Sequence, residues 1–337
     1  MTSATAQSPF TPSLIAYVEQ ESDKLVKDKT TTAHPCYQKH FAKTKAAISG
    51  AFQGLNNTTA LILGVGAAQD IDLRALAEAF EKVHLVDIDL SQTKKALAEQ
   101  VPEENLRIKF KLEEADLTGI FPELCIEAEN LAAQKDPTYT EFVGRILDFL
   151  PTLKPAAFPY KQTKSSFVCS SLVSTQLVGT LTGYLNALTQ KTYGKTFAPP
   201  QDRMDEFDSF LTNVIEAHLH ELSVLVSPGG RIYYADHFTV KGVVHINHPK
   251  NSEMEDVVQV LGEQDFPLTK NLAEVVQKVF TVVSKQKWGW ALPINKSVES
   301  AEMTNDDGTV QKIPVQVTEF REYQVSSYVL KQPEVTE

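Results

Sequence analysis

The first third of the chain contains glycines and a carboxylate whose spacing suits nucleoside binding. Gly64 and Gly66, in the run LILGVGAAQD over residues 61–70, allow the backbone to turn sharply and to approach a ligand where any Cβ would collide. Asp87 follows 21 residues after Gly66. A carboxylate at this spacing can accept both hydroxyls of a ribose whose other end lies over the glycine turn. The pattern predicts a site for a nucleoside-containing cofactor.

A strand, a turn, a helix and a second strand must bring these residues together. Residues 59–63 are an unbroken β-prone run, as expected of a parallel strand covered on both faces. Residues 83–86 form a second such run, which ends at Asp87. Between the two runs, apolar residues recur at helical spacing, and Asp70 and Asp72 are expected in the first helical turn.

The third small residue of the turn indicates which cofactor is bound. A dinucleotide fingerprint would place it at position 69, which is Gln69, whereas a G-x-G-x-G pattern places it at Ala68. In this pattern, and in the acidic Asp87, the sequence resembles the class I S-adenosylmethionine-dependent methyltransferases. That family usually has an acidic residue two places before the first glycine, where this chain has Ile62. An ordinary Rossmann-like turn without a ligand is the alternative interpretation.

The resemblance implies a three-layer α/β/α sandwich on a mostly parallel seven-stranded sheet whose last strand is antiparallel. Its landmarks are recognisable over residues 58–118 and 164–236, and a closing hairpin over 288–292 and 323–330 suits the last strands. Residues 1–55 are expected to form an N-terminal helical cap. Residues 56–337 are expected to form the methyltransferase-like domain, with insertions at about 118–163 and 238–285.

Other elements are predicted from the residues themselves. Residues 106–112 alternate between apolar and basic types and predict the third strand, and residues 203–226 predict a long helix. Residues 231–235 predict the fifth strand. An irregular section is expected over 241–285, with a helix around 272–279.

The resemblance also implies a set of cofactor-binding residues. The glycine turn would hold the methionine end, Asp87 the ribose, and Asp116 the adenine amino group, with Leu117 beside it; the end of the fourth strand would face the methyl group. The implied set is Gly64, Gly66, Ala68, Asp87, Ile88, Asp116, Leu117 and Ser170. Judged from its position alone, Asp116 is equally well explained as a loop residue or a helix cap. Ser170 and the neighbouring serines are equally well explained as small residues that let a helix lie close to the sheet.

Three further residues are candidates for the substrate side of the site. By the resemblance, Tyr37 and His40 are lid residues in helices that fold over the cofactor; the alternative is that they pack a helix against the sheet. His237 falls at the end of the fifth predicted strand, where ligands bind in open α/β sheets, and it is a candidate base. A structural histidine is the alternative, and the sequence identifies no catalytic residue with a defined role.

Composition narrows the classes of partner. The net charge of −11 argues against a broad nucleic-acid footprint, and the Asn/Asp-Pro-Pro-aromatic motif of many base-directed methyltransferases is absent. The three cysteines are far apart, which favours reduced thiols in the cytoplasm and no metal site. No secretory signal and no apolar run long enough to span a membrane is visible.

The sequence therefore predicts methyl transfer from S-adenosylmethionine to an oxygen or nitrogen atom of a small molecule or a protein side chain. One alternative is a catalytically silent protein of this fold that acts through a protein partner. A second is an NAD(P)-dependent oxidoreductase, against which Gln69 and the closing hairpin count. The sequence selects neither a methyl acceptor nor an oligomeric state.

Overall fold

The computed structural model describes residues 10–31, 35–56, 58–134, 137–154, 164–247, 257–265, 276, 279–304 and 310–332. The helices are α1 (Pro12–Thr31), α2 (Pro35–Phe52), α3 (Leu73–Ala79), α4 (Ser91–Gln100), α5 (Glu104–Arg107), α6 (Phe121–Ala133), α7 (Tyr139–Phe149), α8 (Val173–Tyr193) and α9 (Met204–Leu225). The strands are β1 (Thr59–Leu63), β2 (Lys82–Asp87), β3 (Phe110–Glu114), β4 (Ser165–Ser171), β5 (Val226–Asn247), β6 (Val257–Asp265), β7 (Thr281–Thr304) and β8 (Val310–Lys331).

One mixed sheet organises the chain. Its strand order is β3-β2-β1-β4-β5-β8-β7, and β6 pairs with β5 off this path. The first five strands are parallel, whereas β8 is antiparallel to β5 and to β7. The prediction of a mostly parallel seven-stranded sheet with an antiparallel last strand is confirmed. The strand β6 is an addition that the sequence analysis did not predict.

Helices cover both faces of the sheet and make two apolar cores. On one face, Ile62, Leu85 and Phe167 pack against residues of α2, α3 and α4. On the other face, Leu61 and Val168 pack against residues of α1 and α6 to α9. Because successive strand residues point to opposite faces, a strand covered on both faces must be apolar at nearly every position. This explains the unbroken apolar run of β1 and confirms the three-layer arrangement.

The third strand begins four residues later than predicted. Residues 104–107 form α5, and β3 begins at Phe110. The alternating pattern misled the prediction because its members have local roles: Ile108 is 77% exposed, and the ammonium group of Lys109 donates to the carbonyls of Ala77 and Phe80. Apolar and basic residues thus alternate here without lining the two faces of a strand.

The fifth strand is much longer than the predicted 231–235. Ala235 pairs with Ser171, the last residue of β4, and β5 then continues to Asn247. Beyond Ala235, β6 pairs with one edge of β5 and β8 pairs with the other. These partners satisfy the backbone groups of the extension, so the prediction of an irregular section over 241–285 is wrong for the described residues. Most of the helix predicted around 272–279 lies outside them.

The helices predicted before the first strand are present as α1 and α2. The Thr11 hydroxyl caps α1 by accepting from the Leu14 amide at 3.2 Å. At the other end of α2, Ala51 and Phe52 pack into the core, and the Arg231 guanidinium donates to the Ala51 carbonyl at 3.1 Å. The division of the chain into a cap and a domain near residue 55 stays a prediction.

Candidate functional site

The turn after β1 takes a backbone conformation that its glycines make accessible. The φ angles of Gly64, Gly66 and Ala68 are 64°, 51° and 48°, all in the left-handed region. A Cβ on Gly64 would lie 2.7 Å from Cγ2 of Val173, at the start of α8. A Cβ on Gly66 would meet nothing within 4 Å. Gly64 is therefore required by the fold, whereas Gly66 borders open space that a ligand can enter.

Side chains of α4 hold the carbonyls of this turn. The Thr93 hydroxyl donates to the Gly66 carbonyl at 2.9 Å, and the Gln100 amide nitrogen donates to the Ala68 carbonyl at 2.9 Å. The Gln100 side-chain oxygen accepts from the Leu73 amide at 3.1 Å. The sequence analysis missed both residues. Their local signal is weak, because only a polar side chain on the inner face of an amphipathic helix marks them.

Asp87 joins the end of β2 to the glycine turn. Its Oδ2 accepts from the Gly66 amide at 2.7 Å, and its Oδ1 accepts from the Ile88 amide at 2.7 Å and the Asp89 amide at 3.4 Å. Desolvation raises the pKa of this carboxyl to about 6, although the three amides act in the opposite direction. A carboxylate has about four acceptor positions, so three amides leave capacity for a hydroxyl. Asp87 is also partly exposed.

A small cleft of about 60 Å³ lies next to Ile88 and Asp89, between α1 and the ends of β2 and β3. Its walls combine an apolar side from α1 with acidic residues from the strand ends. The lining residues are Phe10, Leu14, Ile15, Val18, Glu19, Ile88, Asp89 and Glu114. This volume is well below the roughly 300–1,000 Å³ range of ligand pockets. Helix α1 thus covers the space into which Ile88 projects.

The loop after β3 is fixed by Asp116. Its Oδ1 accepts from the Thr118 amide at 2.8 Å, and its Oδ2 accepts from the Phe121 amide, at the start of α6, at 2.9 Å. The Thr118 hydroxyl lies 2.7 Å from Oδ1. Burial raises the pKa of this carboxyl. These contacts match the interpretation of Asp116 as a loop and capping residue, and Leu117 packs at the edge of the core beside it.

Ser170, at the end of β4, is part of a buried polar layer. Its Oγ lies 2.8 Å from Nε2 of His218 on α9. Beside this pair, Ser174 Oγ lies 3.0 Å from the Tyr234 hydroxyl, which donates to Asp236 Oδ2 at 3.1 Å. The Asp236 side chain is fully buried. Burial lowers the pKa of His218 to about 4, so this imidazole is neutral at pH 7.

The predicted lid residues lie against a different part of the sheet. His40 is buried on α2, and its Nδ1 accepts from the Trp288 indole of β7 at 3.0 Å. Tyr37 is buried one turn earlier and stacks on Phe41 with ring centroids 5.8 Å apart. Both contacts match the packing alternative. The backbone of His237 pairs with Val325, and its side chain lies outside the described residues.

The structure thus brings together part of the predicted set. Hydrogen bonds join Gly66 and Ile88 to Asp87 at the end of β2, and Gly64 and Ala68 belong to the same turn as Gly66. Asp116 and Leu117 follow the adjacent strand β3. Ser170 stands on the neighbouring strand β4, with its side chain directed to His218. Tyr37 and His40 lie apart from this group.

Neither a metal-binding cluster nor a membrane-spanning helix is present among the described residues. No group of three or more histidine, cysteine, aspartate or glutamate side chains among them is placed to hold a metal ion. No helix in the described part of the chain combines the length and apolar character needed to cross a membrane.

Comparisons with known proteins give matches at the level of structure alone. No family model matches the sequence, and no curated protein sequence matches it. One similar solved structure is the N-methyltransferase NodS from Bradyrhizobium japonicum in complex with S-adenosyl-L-homocysteine, with 8% identity, a TM-score of 0.35, and coverage of 86% of this chain and 88% of that chain.

Two other matches are comparable. An S-adenosylmethionine-dependent methyltransferase from Clostridium acetobutylicum has 12% identity and a TM-score of 0.36, over 94% of this chain and 99% of its own. The glycopeptide N-methyltransferase MtfA, complexed with S-adenosyl-L-methionine, has 11% identity and a TM-score of 0.33, over 82% of this chain and 92% of its own.

The strand pairing decides the fold. Five parallel strands are followed by an antiparallel β8, the glycine turn leaves β1, and helices cover both faces. The chain has the Rossmann-like fold of the class I S-adenosylmethionine-dependent methyltransferases.

Proposed function

We propose that this protein transfers the methyl group of S-adenosylmethionine to an oxygen or nitrogen atom of a small molecule or a protein side chain. The observation that carries the proposal is the 2.7 Å hydrogen bond from the Gly66 amide to Asp87 Oδ2. It holds the Asp87 carboxylate at the end of β2 next to the main-chain turn at the end of β1. This is the arrangement that a nucleoside cofactor requires for its ribose and its other end.

Each part of the cofactor has proposed partners. The main chain of Gly64, Gly66 and Ala68 holds the amino-acid end, and Asp87 accepts the ribose hydroxyls with Ile88 beside it. Asp116 and Leu117 lie in a loop next to the adenine. The Asp116 carboxylate already accepts hydrogen bonds from the amides of Thr118 and Phe121. It therefore has fewer acceptor positions left for a direct contact with the adenine. Ser170 takes part through its backbone, since its side chain is engaged by His218.

This proposal requires little acid–base machinery from the protein. S-adenosylmethionine carries an already activated methyl group, so the protein must mainly align the acceptor and exclude water.

A second candidate is a silent member of this fold that acts through a protein partner. The observation in its favour is that α1 covers the cleft beside Ile88. In this case the helices would present a surface to the partner, and the glycine turn would be a structural remnant of a site. The two candidates differ in whether an adenosyl ligand binds.

Calorimetric titration separates the candidates. The purified protein is titrated with S-adenosylmethionine, S-adenosylhomocysteine, NAD and NADP. We expect micromolar binding of the adenosyl pair and no binding of the dinucleotides. Binding of a dinucleotide alone would replace the methyltransferase proposal with an oxidoreductase, and binding of none would favour the silent protein.

The variant Asp87→Asn tests the ribose contact. We expect it to weaken S-adenosylhomocysteine binding by about 1–3 kcal/mol, the scale of a lost hydrogen bond to a charged group. Asp72→Asn is the matched control, because Asp72 caps α3 by accepting from the Ala75 amide and does not line the cleft. Equal binding by the folded Asp87→Asn variant and the wild type would remove Asp87 from the site.

A further inference from the structure

Strand β6 lies in line with β4, beyond the point where β4 ends. β8 occupies one edge of β5 both before and after Ala235, so β4 and β6 share the other edge. On that shared edge, Ser171 at the end of β4 pairs with Ala235, whereas Asp265 of β6 pairs with Thr239. Because β6 is antiparallel to β5, Asp265 is the end of β6 that is nearest to β4.

A gap separates the ends of these two strands. Residues 236–238 of β5 span it, and at about 3.3 Å per residue the distance along β5 from Ala235 to Thr239 is at most about 13 Å. The main chain leaves β4 here, since the Leu172 amide donates to the Ala235 carbonyl at 2.7 Å. The gap therefore lies at the carboxyl edge of the parallel strands, where open α/β sheets bind ligands.

The edge of β6 that faces away from β5, its outer edge, points along the sheet toward the row of β1. Among the described residues, β6 pairs with β5 alone. In the parallel part of the sheet, β1 is the next strand beyond β4. A strand added to the outer edge of β6 would therefore continue the row of β1, whose carboxyl end carries the glycine turn of the proposed cofactor site.

The composition of β6 suits strand pairing. Three of the four residues 257–260 are valine, which favours the strand conformation. β6 contains no lysine and no proline, the residues that commonly protect a sheet edge from further pairing. The strands at the two ends of the sheet do contain them: β3 has Lys111, and β7 has Lys287 and Pro293. Of these three strands, β6 is the one best suited to accept another strand.

The sequence around β6 is acidic. Residues 253–265 contain five carboxylates and no lysine or arginine. Glu263 stands opposite Lys241 of β5, whereas Asp265, nearest to the gap, stands opposite Thr239. The whole chain carries a net charge of −11. A basic segment along β6 would complement this charge.

We propose that the outer edge of β6 binds a basic polypeptide segment by strand addition, and that this segment carries the methyl acceptor. The inference rests on the proposed function and narrows its acceptor to a protein side chain. Main-chain hydrogen bonds along β6 supply affinity, as in other cases of strand addition to a sheet edge. Where the segment runs past Asp265 it reaches the carboxyl edge of the sheet, and a side chain there is presented to the methyl donor.

The acceptor atom of that side chain gives its electron pair to the methyl carbon. The carbon–sulfur bond breaks in the same step, and sulfur keeps the electron pair of that bond, which leaves S-adenosylhomocysteine. The proton that the acceptor loses passes to water.

Labelled peptides test strand addition to the full-length protein. The probe is a pool of short peptides in which lysine alternates with a varied residue, and fluorescence anisotropy measures its binding without cofactor. Two matched pools each change one property: one carries methyl groups on its backbone nitrogens, and the other has glutamate in place of lysine. We expect the lysine pool to bind, and each matched pool to bind at least about tenfold more weakly.

Two neighbouring substitutions separate pairing at the outer edge from pairing with β5. The amides of consecutive strand residues point to opposite edges, so one of Val258→Pro and Gln259→Pro removes a bond to β5, and the other removes only an amide of the outer edge. Urea denaturation identifies the second as the more stable variant. We expect this variant to bind the lysine pool at least about tenfold more weakly than wild type does.

Asp265→Lys tests the charge at the end of β6 nearest to the gap. We expect it to weaken binding of the lysine pool about fivefold. The matched control is Glu81→Lys, which reverses the same charge at an exposed residue beside the amino end of β2. This control should bind the pool within about twofold of wild type.

Transfer to the peptide is measured separately with radiolabelled S-adenosylmethionine. We expect the wild type to label the lysine pool, and the more stable proline variant to label it at least about tenfold less at subsaturating peptide. Binding of S-adenosylhomocysteine by this variant should stay within about twofold of wild type, because β6 does not form the glycine turn.

Each contrary result overturns a defined part of the inference. No binding of the lysine pool, or equal binding of either matched pool, would overturn strand addition by a basic segment. A dimer of the wild type that the more stable proline variant abolishes would make a second copy of this chain the occupant, and would overturn it as well. Peptide that binds but receives no methyl group, from a protein that binds S-adenosylhomocysteine, would overturn the acceptor role. Peptide binding by a protein that does not bind S-adenosylhomocysteine would overturn the proposed function, and the acceptor role with it.

Discussion

The β1–β2 side and the β4–β5 side of the sheet's carboxyl edge use polar groups in opposite ways. On the β1–β2 side, main-chain groups make the key contacts: the amides of Gly66 and Ile88 donate to Asp87, and Thr93 holds a carbonyl of the turn. On the β4–β5 side, side chains pair with side chains in the buried layer of Ser170, His218 and Tyr234. The first arrangement leaves open space at Gly66, whereas the second is closed. On the proposed function, the first side binds the ligand and the second side positions α8 and α9.

The largest effect is expected where the two sides touch, at Gly64. Gly64→Ala would place a Cβ 2.7 Å from Val173 at a φ of 64°. We expect a loss of about 3 kcal/mol in the free energy of unfolding, from overpacking and backbone strain together. Gly66→Ala meets no neighbouring atom and should cost only about 1 kcal/mol. Urea denaturation of the two variants measures the difference.

A double substitution tests the cause of this effect. Val173→Ala in the Gly64→Ala background should recover part of the lost stability, because it removes the clashing methyl groups. Equal losses for Gly64→Ala and Gly66→Ala would show that the contact between the two sides does not constrain the turn.

Lowering the pH should change the stability contributions of the two sides in opposite directions. The folded-state pKa of His218 is about 4, below its ordinary value of 6.5, so the unfolded chain binds the proton more tightly and stability falls as the pH drops from 6.5 to 4. The integrated loss is about 3 kcal/mol. The folded-state pKa of Asp87 is about 6, above its ordinary 3.8, so the folded chain takes up a proton and its contribution to stability rises over nearly the same interval.

Variants that remove one group at a time resolve these opposing contributions. Relative to wild type, His218→Asn should lose less stability between pH 6.5 and 4, and Asp87→Asn should lose more. Urea denaturation across this pH range makes the measurement. Parallel pH profiles for the wild type and both variants would contradict the contrast between the two sides.

The smallest effect is expected at Asp116. Asp116→Asn replaces one acceptor oxygen with a donor, which should cost about 1 kcal/mol of stability through a lost contact to Thr118 or Phe121. It should weaken S-adenosylhomocysteine binding less than Asp87→Asn does. The comparison ligand is S-inosylhomocysteine, which lacks the adenine amino group. Selective loss of S-adenosylhomocysteine binding by Asp116→Asn would give this carboxylate a direct contact with the base.

The sequence predicted the glycine turn and the strands on either side of it, which depend on main-chain conformation. Left-handed turns and buried parallel strands restrict which residues can occupy them, so Gly64, Gly66 and the run before them are informative without a structure. Asp87 could be placed because the helical repeat between the two strands sets its distance from the turn. The strand order and the antiparallel β8 agree with the predicted fold.

The sequence did not predict the contacts between side chains that are far apart along the chain. Ser170 and His218 are 48 residues apart, and no local pattern links them. The bond between His40 and Trp288 spans 248 residues. Asp70 was expected in the first turn of a helix, but α3 begins only at Leu73 with Asp72 as its cap, and this two-residue offset is what turns Asp70 toward β4.

Helix α1 is fastened on both sides of the cleft that it covers. Near its start, Thr11 donates to Glu129 Oε1 at 3.1 Å, and the Tyr184 hydroxyl donates to the same oxygen. Farther along, Asp23 accepts from the Gln92 amide at 2.6 Å. If a nucleoside binds beside Ile88, as the proposed function requires, these bonds must open before it enters. We then expect the observed association rate to reach a limit set by the opening of α1 at high ligand concentration.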